Sequence, residues 1–424
     1  MTQPYKGVRD FYPEDQRVQT HIFSAMRRAV ESFGYEEMNA SILEPTELYL
    51  SKTSEEIVNE QTYTFTDRGD RSVTLRPEMT PTVARMVAQK KRELGFPLRW
   101  YSIQNLFRYE RPQRGRLREH WQLNADIFGA SGMDAEVEII AVAYDVVREL
   151  GAHNGDFLIK IGSKNTVTKT LIERRVPVER HREIFSLIDR KGKIPEPERM
   201  KRLAELGGDI EITESADIQE MRRVLAELGI ENTVFDPDIV RGFDYYTGMV
   251  FEIFDSDPKN PRALLGGGRY DNLVGQYLPA PNAARQAGGG GKIPAVGFGM
   301  GDVTTRDFLE THSLLPAIES QTHLYIAPIP EDGIDVNVQF QEKMENLMQT
   351  ADKLRKQGMN VAVGMNHKKI ADHIKAASKL GIPYFAAYGA DEISSEKLKI
   401  KNLVTGEEKT VPLDAVPDFF APRR

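Results

Sequence analysis

The sequence predicts an α+β protein: an antiparallel sheet with helices on one face, interrupted by a helical insertion and followed by a separate α/β domain. Three observations lead there. In the first part of the chain, strand-like stretches meet through loops and hairpins, with helical stretches interspersed irregularly between them. Residues 164–231 are charged and helix-rich, without strand alternation. From about 322 onward the pattern becomes a regular alternation of strand and helix. The expected domains are therefore 1–320, including the 164–231 insertion, and 321–424, with 313–322 as the linker.

The first helix is expected over Asp15–Phe33, where Val18, Ile22, Met26, Val30 and Phe33 recur at helical spacing and Gly34 ends the run. Strands are expected at 72–76 and 99–109. Between them a helix should have Thr80 as N-cap, Pro81 at its first position and Gly95 after its last turn. A strand at 121–128 leads to a helix from near Asp134 to Gly151, with Val137, Ile140, Tyr144 and Val147 as its apolar stripe. Strand signals return at 249–254 and 295–299. Between them, 279–292 (PAPNAARQAGGGGK) reads as a loop, because four consecutive glycines do not make a packed element. In the last domain 322–328, 359–363 and 382–388 read as strands, 337–357 and 366–380 as helices, and Thr405–Gly406 as a hairpin turn.

A length of 424 residues suggests two to three domains, and a 40% hydrophobic content is ordinary for a chain that buries a sizeable core. With 63 acidic residues against 56 basic ones, the net charge of -7 gives no global basic coat, so any nucleic-acid contact must be local. The absence of cysteine excludes disulfides, thiolate zinc sites and cysteine nucleophiles. No apolar run approaches the length of a membrane span, and the opening MTQPYKGVRDFYPED lacks the apolar core of a secretory signal. A cytoplasmic protein without membrane attachment is expected. There is no GxxxxGK[ST] phosphate loop. GGGGK at 288–292 runs into Ile293 and Pro294, and the GxGxG at 297–301 lacks dinucleotide spacing. No HExxH occurs, His367 and His373 stand six apart, and the lone histidines are expected to be solvated. No dedicated protein metal ligands are expected.

Four strings carry chemistry. FRYERPQRGRLR at 107–118 places Arg108, Arg111, Arg114, Arg116 and Arg118 about a Pro-Gln-Arg-Gly turn. Arginine's planar fork grips phosphate oxygens in pairs, although the same cluster would also suit a solvated hairpin tip. Arg108 lies between Phe107 and Tyr109 in the strand pattern, where an arginine would be held at a cleft. RGFDYYTG at 241–248 sets polar aromatics beside glycines, as a pocket wall or an ordinary hairpin would. Alternation would put Phe243 and Tyr245 on one face and Asp244 and Tyr246 on the other. LGGGRYD at 265–271 permits close backbone approach and places Tyr270 at its end, though by itself it reads as a weak turn motif. In TLRPEMTPTVAR at 74–85, Glu78 precedes a helix start, where carboxylate and backbone donors could frame an amine and an anion.

Taken in this order, the strings resemble the histidyl-tRNA synthetases, which are class II aminoacyl-tRNA synthetases, and the resemblance covers essentially the whole chain. TYTFTDRGDRSVTLRPEMT is similar to the stretch that leads to the amino-acid-binding glutamate, and FRYERPQRGRLREHWQL to motif 2. RGFDYYTG and GGGRYD are similar to the paired histidine-specific signatures. The resemblance implies a class II antiparallel-sheet core, a C-terminal anticodon-binding domain, a homodimer, and ATP with Mg2+ as reactants. The implied activity is the two-step charging of tRNA(His) with L-histidine. It further implies that Arg108 and Arg241 hold the α-phosphate from opposite sides and that Arg116 faces the triphosphate. Glu78 and Thr80 would hold the ammonium, with Gln122 beside them. Asp126 and Tyr246 would read the imidazole, with Tyr270 lining the same pocket, and Gln113 and Arg114 would touch the tRNA acceptor end. In the last domain Asn366, His367, Lys368 and Lys369 would face RNA, with Lys375 and Lys379 extending a basic bias against Asp372. These lysines would equally suit a solvated helix face.

The sequence departs from the family pattern in three places. Asp126 stands where glutamate is usual, and Ser41 stands where motif 1 has its proline. Val303 and Thr304 stand where motif 3 has Glu-Arg. Arg306 lies two residues later, about 200° around a helix, so it does not simply substitute. A shifted helix start, another cation or weaker ATP binding would each account for the difference. Two non-catalytic rivals are a histidine-sensing regulatory subunit of ATP phosphoribosyltransferase and a synthetase-derived RNA-binding protein. The apparent anticodon domain and the RGFDYYTG string count against the first, and Arg108 and Arg241 against the second. The paired signatures disfavour a synthetase for another amino acid.

Overall fold

Alternation of apolar and polar residues along the strands decides how the larger part of the chain is layered. The structure, a computed structural model, describes residues 2–50, 61–192, 194–240, 245–278, 292–316, 320–329, 336–365 and 368–420. The chain forms two units, Met1–Leu315 and Pro316–Arg424. The strands of the first are β1 (Glu36–Glu37), β2 (Leu43–Pro45), β3 (Tyr63–Thr66), β4 (Ser72–Leu75), β5 (Leu98–Phe107), β6 (Glu119–Phe128), β7 (Phe157–Ser163), β8 (Thr233–Phe235), β9 (Met249–Asp255), β10 (Ala263–Arg269) and β11 (Ala295–Gly301). Eight of them make one sheet in the order β1-β5-β6-β11-β10-β9-β7-β8, while β2, β4 and β3 make a small one. The large sheet is antiparallel except at its two ends, where β1 runs parallel to β5 and β8 to β7.

Strand β6 shows the layering. Leu123, Ala125 and Ile127 are buried in the main core, on the face where the helices Pro13–Ser32 and Met133–Glu149 also contribute. The first of these helices has Pro13 in its opening turn together with Glu14 and Asp15, whose charges suit the positive end of the helix dipole. It buries Ile22, Met26, Ala29 and Val30, the stripe that its sequence spacing predicts. The second is buried nearly all round, at Ile139, Ile140, Val142, Ala143, Val146 and Val147, because it packs against β6, β10 and β11 and against two other helices. Each such aliphatic side chain contributes about 1.5–3 kcal/mol relative to exposure.

The charged region after β7 divides in two. Helices Lys164–Glu173, Val178–Asp189 and Glu196–Leu206 share a small core of Val167, Leu171, Ile184, Leu187 and Leu203. The fourth helix, Ala216–Glu227, instead puts Ile218, Met221 and Leu225 into the main core. In the second unit β12 (Leu324–Pro328), β13 (Val361–Val363), β14 (Tyr384–Tyr388), β15 (Lys397–Asn402) and β16 (Glu408–Pro412) form a mixed sheet in the order β13-β12-β14-β15-β16. Leu347, Ala351 and Leu354 of the helix Val336–Lys356 pack against one face, and Ala377 of the helix Ile370–Lys379 belongs to the cluster of Tyr325 and Phe385. Gly406 turns the β15–β16 hairpin with φ of 78°, in the left-handed region open to glycine.

Several expectations need correction. LGGGRYD is no turn: its glycines lie in β10, at the centre of the large sheet. Thr80 is the first residue of its helix and not the cap, Met79 precedes it, and the helix ends at Lys90, short of Gly95. His373 is buried beside the Tyr325 hydroxyl, 3.2 Å away, and is not solvated. The glycine run at 288–291, together with Asn366 and His367, lies outside the described residues.

Gly267 shows why β10 needs glycine in mid-strand. A Cβ there would lie 2.1 Å from the Gly297 carbonyl oxygen and 2.6 Å from Phe298 Cβ. Gly267→Ala should therefore destabilise the sheet by about 3 kcal/mol. In a thermal melt of the full chain that corresponds to a fall in Tm of roughly 5–10 °C. A melt superimposable on the wild type would contradict this strand spacing.

Candidate active site

On the sheet face away from the helices, Gln122, Asn124 and Asp126 stand in a row along β6. Their partners across the ladder are Gly301, Gly299 and Gly297 of β11. The missing side chains are space: a Cβ on Gly297 would lie 2.0 Å from Asp126 Oδ1, and one on Gly299 1.8 Å from Gln122 Nε2. The polar side chains lie over a bare strand and form a floor. Glu78 and Thr80 reach the same pocket from the β4-to-helix turn. Buried Arg76 ties that turn down, donating to the carbonyls of Asn105 at 2.9 Å and Ala40 at 2.8 Å and to Gln104 Oε1 at 2.7 Å.

Aromatic residues close the pocket. The Tyr245 hydroxyl donates to Glu78 Oε2 at 3.0 Å, and its ring lies 4.9 Å from Tyr246 and 5.9 Å from Tyr270. Both Tyr245 and Tyr246 are buried in this one cluster, so the expected alternation between opposite faces does not hold; the strand begins only at Met249. The Tyr270 hydroxyl donates to Asp126. Burial pushes the Asp126 carboxyl up to about 7, against the lowering effect of the Tyr270 hydroxyl. Asn124 lines the pocket, and its buried Oδ1 has no hydrogen-bond partner among the described residues. The pocket has a cavity volume of about 110 Å³ and is lined almost wholly by polar and aromatic side chains and glycines.

A second pocket, with a cavity volume of about 170 Å³, continues from the first, and Arg108, Gln122, Gly266 and Gly299 line both. Arg108 follows the end of β5, its backbone N–H bonded to the Arg118 carbonyl at 2.8 Å and its Nε to the Pro77 carbonyl at 2.9 Å. Arg116 lines the second pocket and pairs with Glu110 at 2.8 Å. Burial, and then the charge of Arg108, push the pKa of nearby His120 down to about 3, so it stays neutral. An acidic, aromatic pocket therefore opens into one that carries Arg108 and Arg116 together with Glu110 and Glu252, an arrangement that can hold an amine-bearing ligand beside an anion.

Of the residues singled out in the sequence, Glu78, Thr80, Gln122, Asp126, Tyr246 and Tyr270 come together in the first pocket, and Arg108 and Arg116 meet at the second. Gln113 and Arg114 stand at the hairpin tip, where Gln113 bridges to Arg116 and Arg114 donates to Asn260 at 2.9 Å. Arg241 lies outside the described residues. The Ser41 hydroxyl accepts from the Leu43 N–H at 3.2 Å. Arg306 turns away from the pockets to Asp15 at 3.1 Å and Glu310 at 2.9 Å, and its helix presents Val303 and Thr304 instead. Sequence reasoning missed Asn124, Tyr245, Glu252 and the steric role of Gly297 and Gly299. Asn124 was within reach, since alternation puts it on the face of Gln122 and Asp126.

A family model described as histidyl-tRNA synthetase matches residues 7–300, and one described as an anticodon binding domain matches residues 323–422. The chain is 38% identical to a histidine–tRNA ligase of Leptospira biflexa over 96% of this chain and 95% of that one. It is 33% identical to a histidine–tRNA ligase of Thermoplasma volcanium over 97% of each. Among solved structures, a histidyl-tRNA synthetase from Nostoc superposes with a TM-score of 0.79 at 21% identity, covering 99% of this chain and 98% of that one.

The raised Asp126 pKa has a direct consequence. The folded chain holds this proton more tightly than the unfolded chain, so the stability it contributes is full below about pH 4 and is lost as pH rises through 7. In infrared difference spectra against Asp126→Asn, the protonated carboxyl band should be present at about pH 6 and gone by about pH 8. A band already absent at pH 6 would mean that water reaches the group.

Proposed function

The chain belongs to the histidyl-tRNA synthetase family and is a histidine–tRNA ligase; on that premise we propose how its two pockets divide the work. In the first step of the reaction the histidine carboxylate attacks the α-phosphorus of ATP and displaces pyrophosphate, giving histidyl-adenylate. In the second, the 3′-terminal adenosine of the tRNA attacks the activated carbonyl and AMP leaves.

The observation that carries the assignment is the continuity of the acidic pocket with the arginine pocket through Arg108. Histidine would occupy the first, its ammonium held by Glu78 and Thr80 with Gln122 beside it. Its imidazole would be read by Asp126 and Tyr246. Tyr270 would orient Asp126 through their hydrogen bond, and Asn124 would offer a further acceptor. With glutamate shortened to aspartate, the bare strand at Gly297 and Gly299 is what leaves room for the Asp126 and Gln122 side chains on the pocket floor. Arg108 would then sit at the junction, where the α-phosphate meets the attacking carboxylate, with Arg241 opposite and Arg116 toward the triphosphate. Positioned cations suit this chemistry because charge builds on the phosphoryl oxygens as the bond forms.

Magnesium carried by ATP would neutralise the triphosphate. Glu110 and Glu252 line that pocket, and Glu110 Oε2 meets Arg116 as an ion pair without hydrogen-bond geometry. One or two carboxylates with substrate phosphates are the usual magnesium set. Gln113 and Arg114 would meet the acceptor end of tRNA(His), and Lys368, Lys369, Lys375 and Lys379 of the second unit its anticodon region. We read the protein as a cytoplasmic homodimer from its family and substrate. Among the described residues no helix is long and apolar enough to cross a membrane.

ATP–pyrophosphate exchange run without tRNA should respond to histidine alone among the twenty amino acids. Silence with every amino acid, from folded protein that binds histidine, would favour the sensor reading. Asp126→Asn should lower kcat/KM for histidine by about 10–150-fold, the worth of a charge-assisted hydrogen bond in a buried site. Arg306→Ala should leave the KM for ATP within about twofold of wild type, because its guanidinium is engaged elsewhere. A tenfold rise would return Arg306 to the nucleotide site.

A further inference from the structure

The arginines around the nucleotide pocket are mostly spoken for. Arg116 pairs with Glu110, Arg306 with Asp15 and Glu310, and Arg9 with Asp302. Arg262, the residue before β10, is different: it makes no ion pair and no side-chain hydrogen bond among the described residues. Its place is defined by the motif 2 hairpin. A Cβ built on Gly115 would lie 2.9 Å from Arg262 Cδ and 3.3 Å from Thr304 Cγ2, so the Arg262 and Thr304 side chains converge on one spot beside the hairpin. Gly115 and Thr304 both line the larger pocket, as does Ala263, the next residue after Arg262. Arg262 is half-buried; burial, and then the like charge of Arg116, lower its pKa, against the raising effect of Glu110. A partly desolvated guanidinium beside another arginine gains from an anion that can accept its hydrogen bonds directly.

We propose that Arg262 is a nucleotide-binding residue that grips the terminal phosphates of ATP. It supplies from the strand side the cation that the helix Asp302–Thr311 does not present to the pocket. The inference rests on the nucleotide occupying the larger pocket, as the ligase reading requires. Its chemistry is that of a bidentate guanidinium for phosphate oxygens, beside Gly115 and Thr304 of the pocket wall and within electrostatic reach of Arg116.

Pyrophosphate exchange by the full chain tests it with Arg262→Gln and Arg262→Lys. The Gln variant should raise the KM for ATP about tenfold or more while the KM for histidine stays unchanged, and the Lys variant should fall between. Inhibition by AMP, which lacks the terminal phosphates, should be the same in all three proteins. An ATP KM within about twofold of wild type in the Gln variant overturns the proposal. So does a parallel rise of both KM values with a lowered Tm, which would make Arg262 a strut for the hairpin. A wild type without exchange activity would instead sink the ligase reading. Binding of a fluorescent ATP analogue by wild type and Arg262→Gln would then still decide whether Arg262 holds phosphate, equal affinities overturning it.

Discussion

One constraint governs the larger unit: β6 must bury one face and keep the other polar while pairing with β11 on a strand that has almost no side chains there. Leu123, Ala125 and Ile127 hold the sheet to the helices, and Gln122, Asn124 and Asp126 line the pocket. The pairing with Gly297, Gly299 and Gly301 makes that compatible with a cavity. A register slip of one residue would send the aliphatic row into the pocket and the carboxyl into the core. The site is thus a consequence of the same hydrogen-bond ladder that holds the sheet together.

The electrostatics follow from that floor. Because the sheet excludes water beneath it, Asp126 carries a carboxyl poised near 7, and its Tyr270 partner shares the burial. Next door, the charge balance differs from arginine to arginine. Arg76 is spent on backbone carbonyls and positions the turn bearing Glu78, whereas Arg306 ties its helix to the amino-terminal helix. Asp302 does similar work at the helix start, accepting from Arg9, Gln19 and the Trp121 N–H. Arg108 and Arg262 make no ion pair among the described residues, and Arg108 gives only its Nε, to the Pro77 carbonyl. Residue type alone does not separate these roles; the partner of each guanidinium does.

The strong helices, the strand–helix rhythm of the second unit and the hairpin of arginines were legible because their signals are local: period 3.6, period 2 and turn chemistry. In the glycine-rich string 265–271 the close backbone approach is present and the turn is not, although the same residues permit both. Only the neighbouring Gly297 carbonyl and Phe298 show which applies. The helix at Ala216–Glu227 looked like its three predecessors and packs elsewhere, since amphipathicity says that a face is buried but not against what.

By itself, then, the sequence determined the elements and the family, for both rest on residue order along the chain. It also determined most of the site's members, through motifs whose residues are neighbours in sequence. Only the tertiary structure decided which arginines keep a free guanidinium, and that Asn124 and Tyr245 join the pocket. It alone decided that Arg262 approaches Thr304 across a gap of forty-two positions. Pairing of charges and filling of space are set by distances between strands far apart in the chain, and a one-dimensional pattern does not contain those distances.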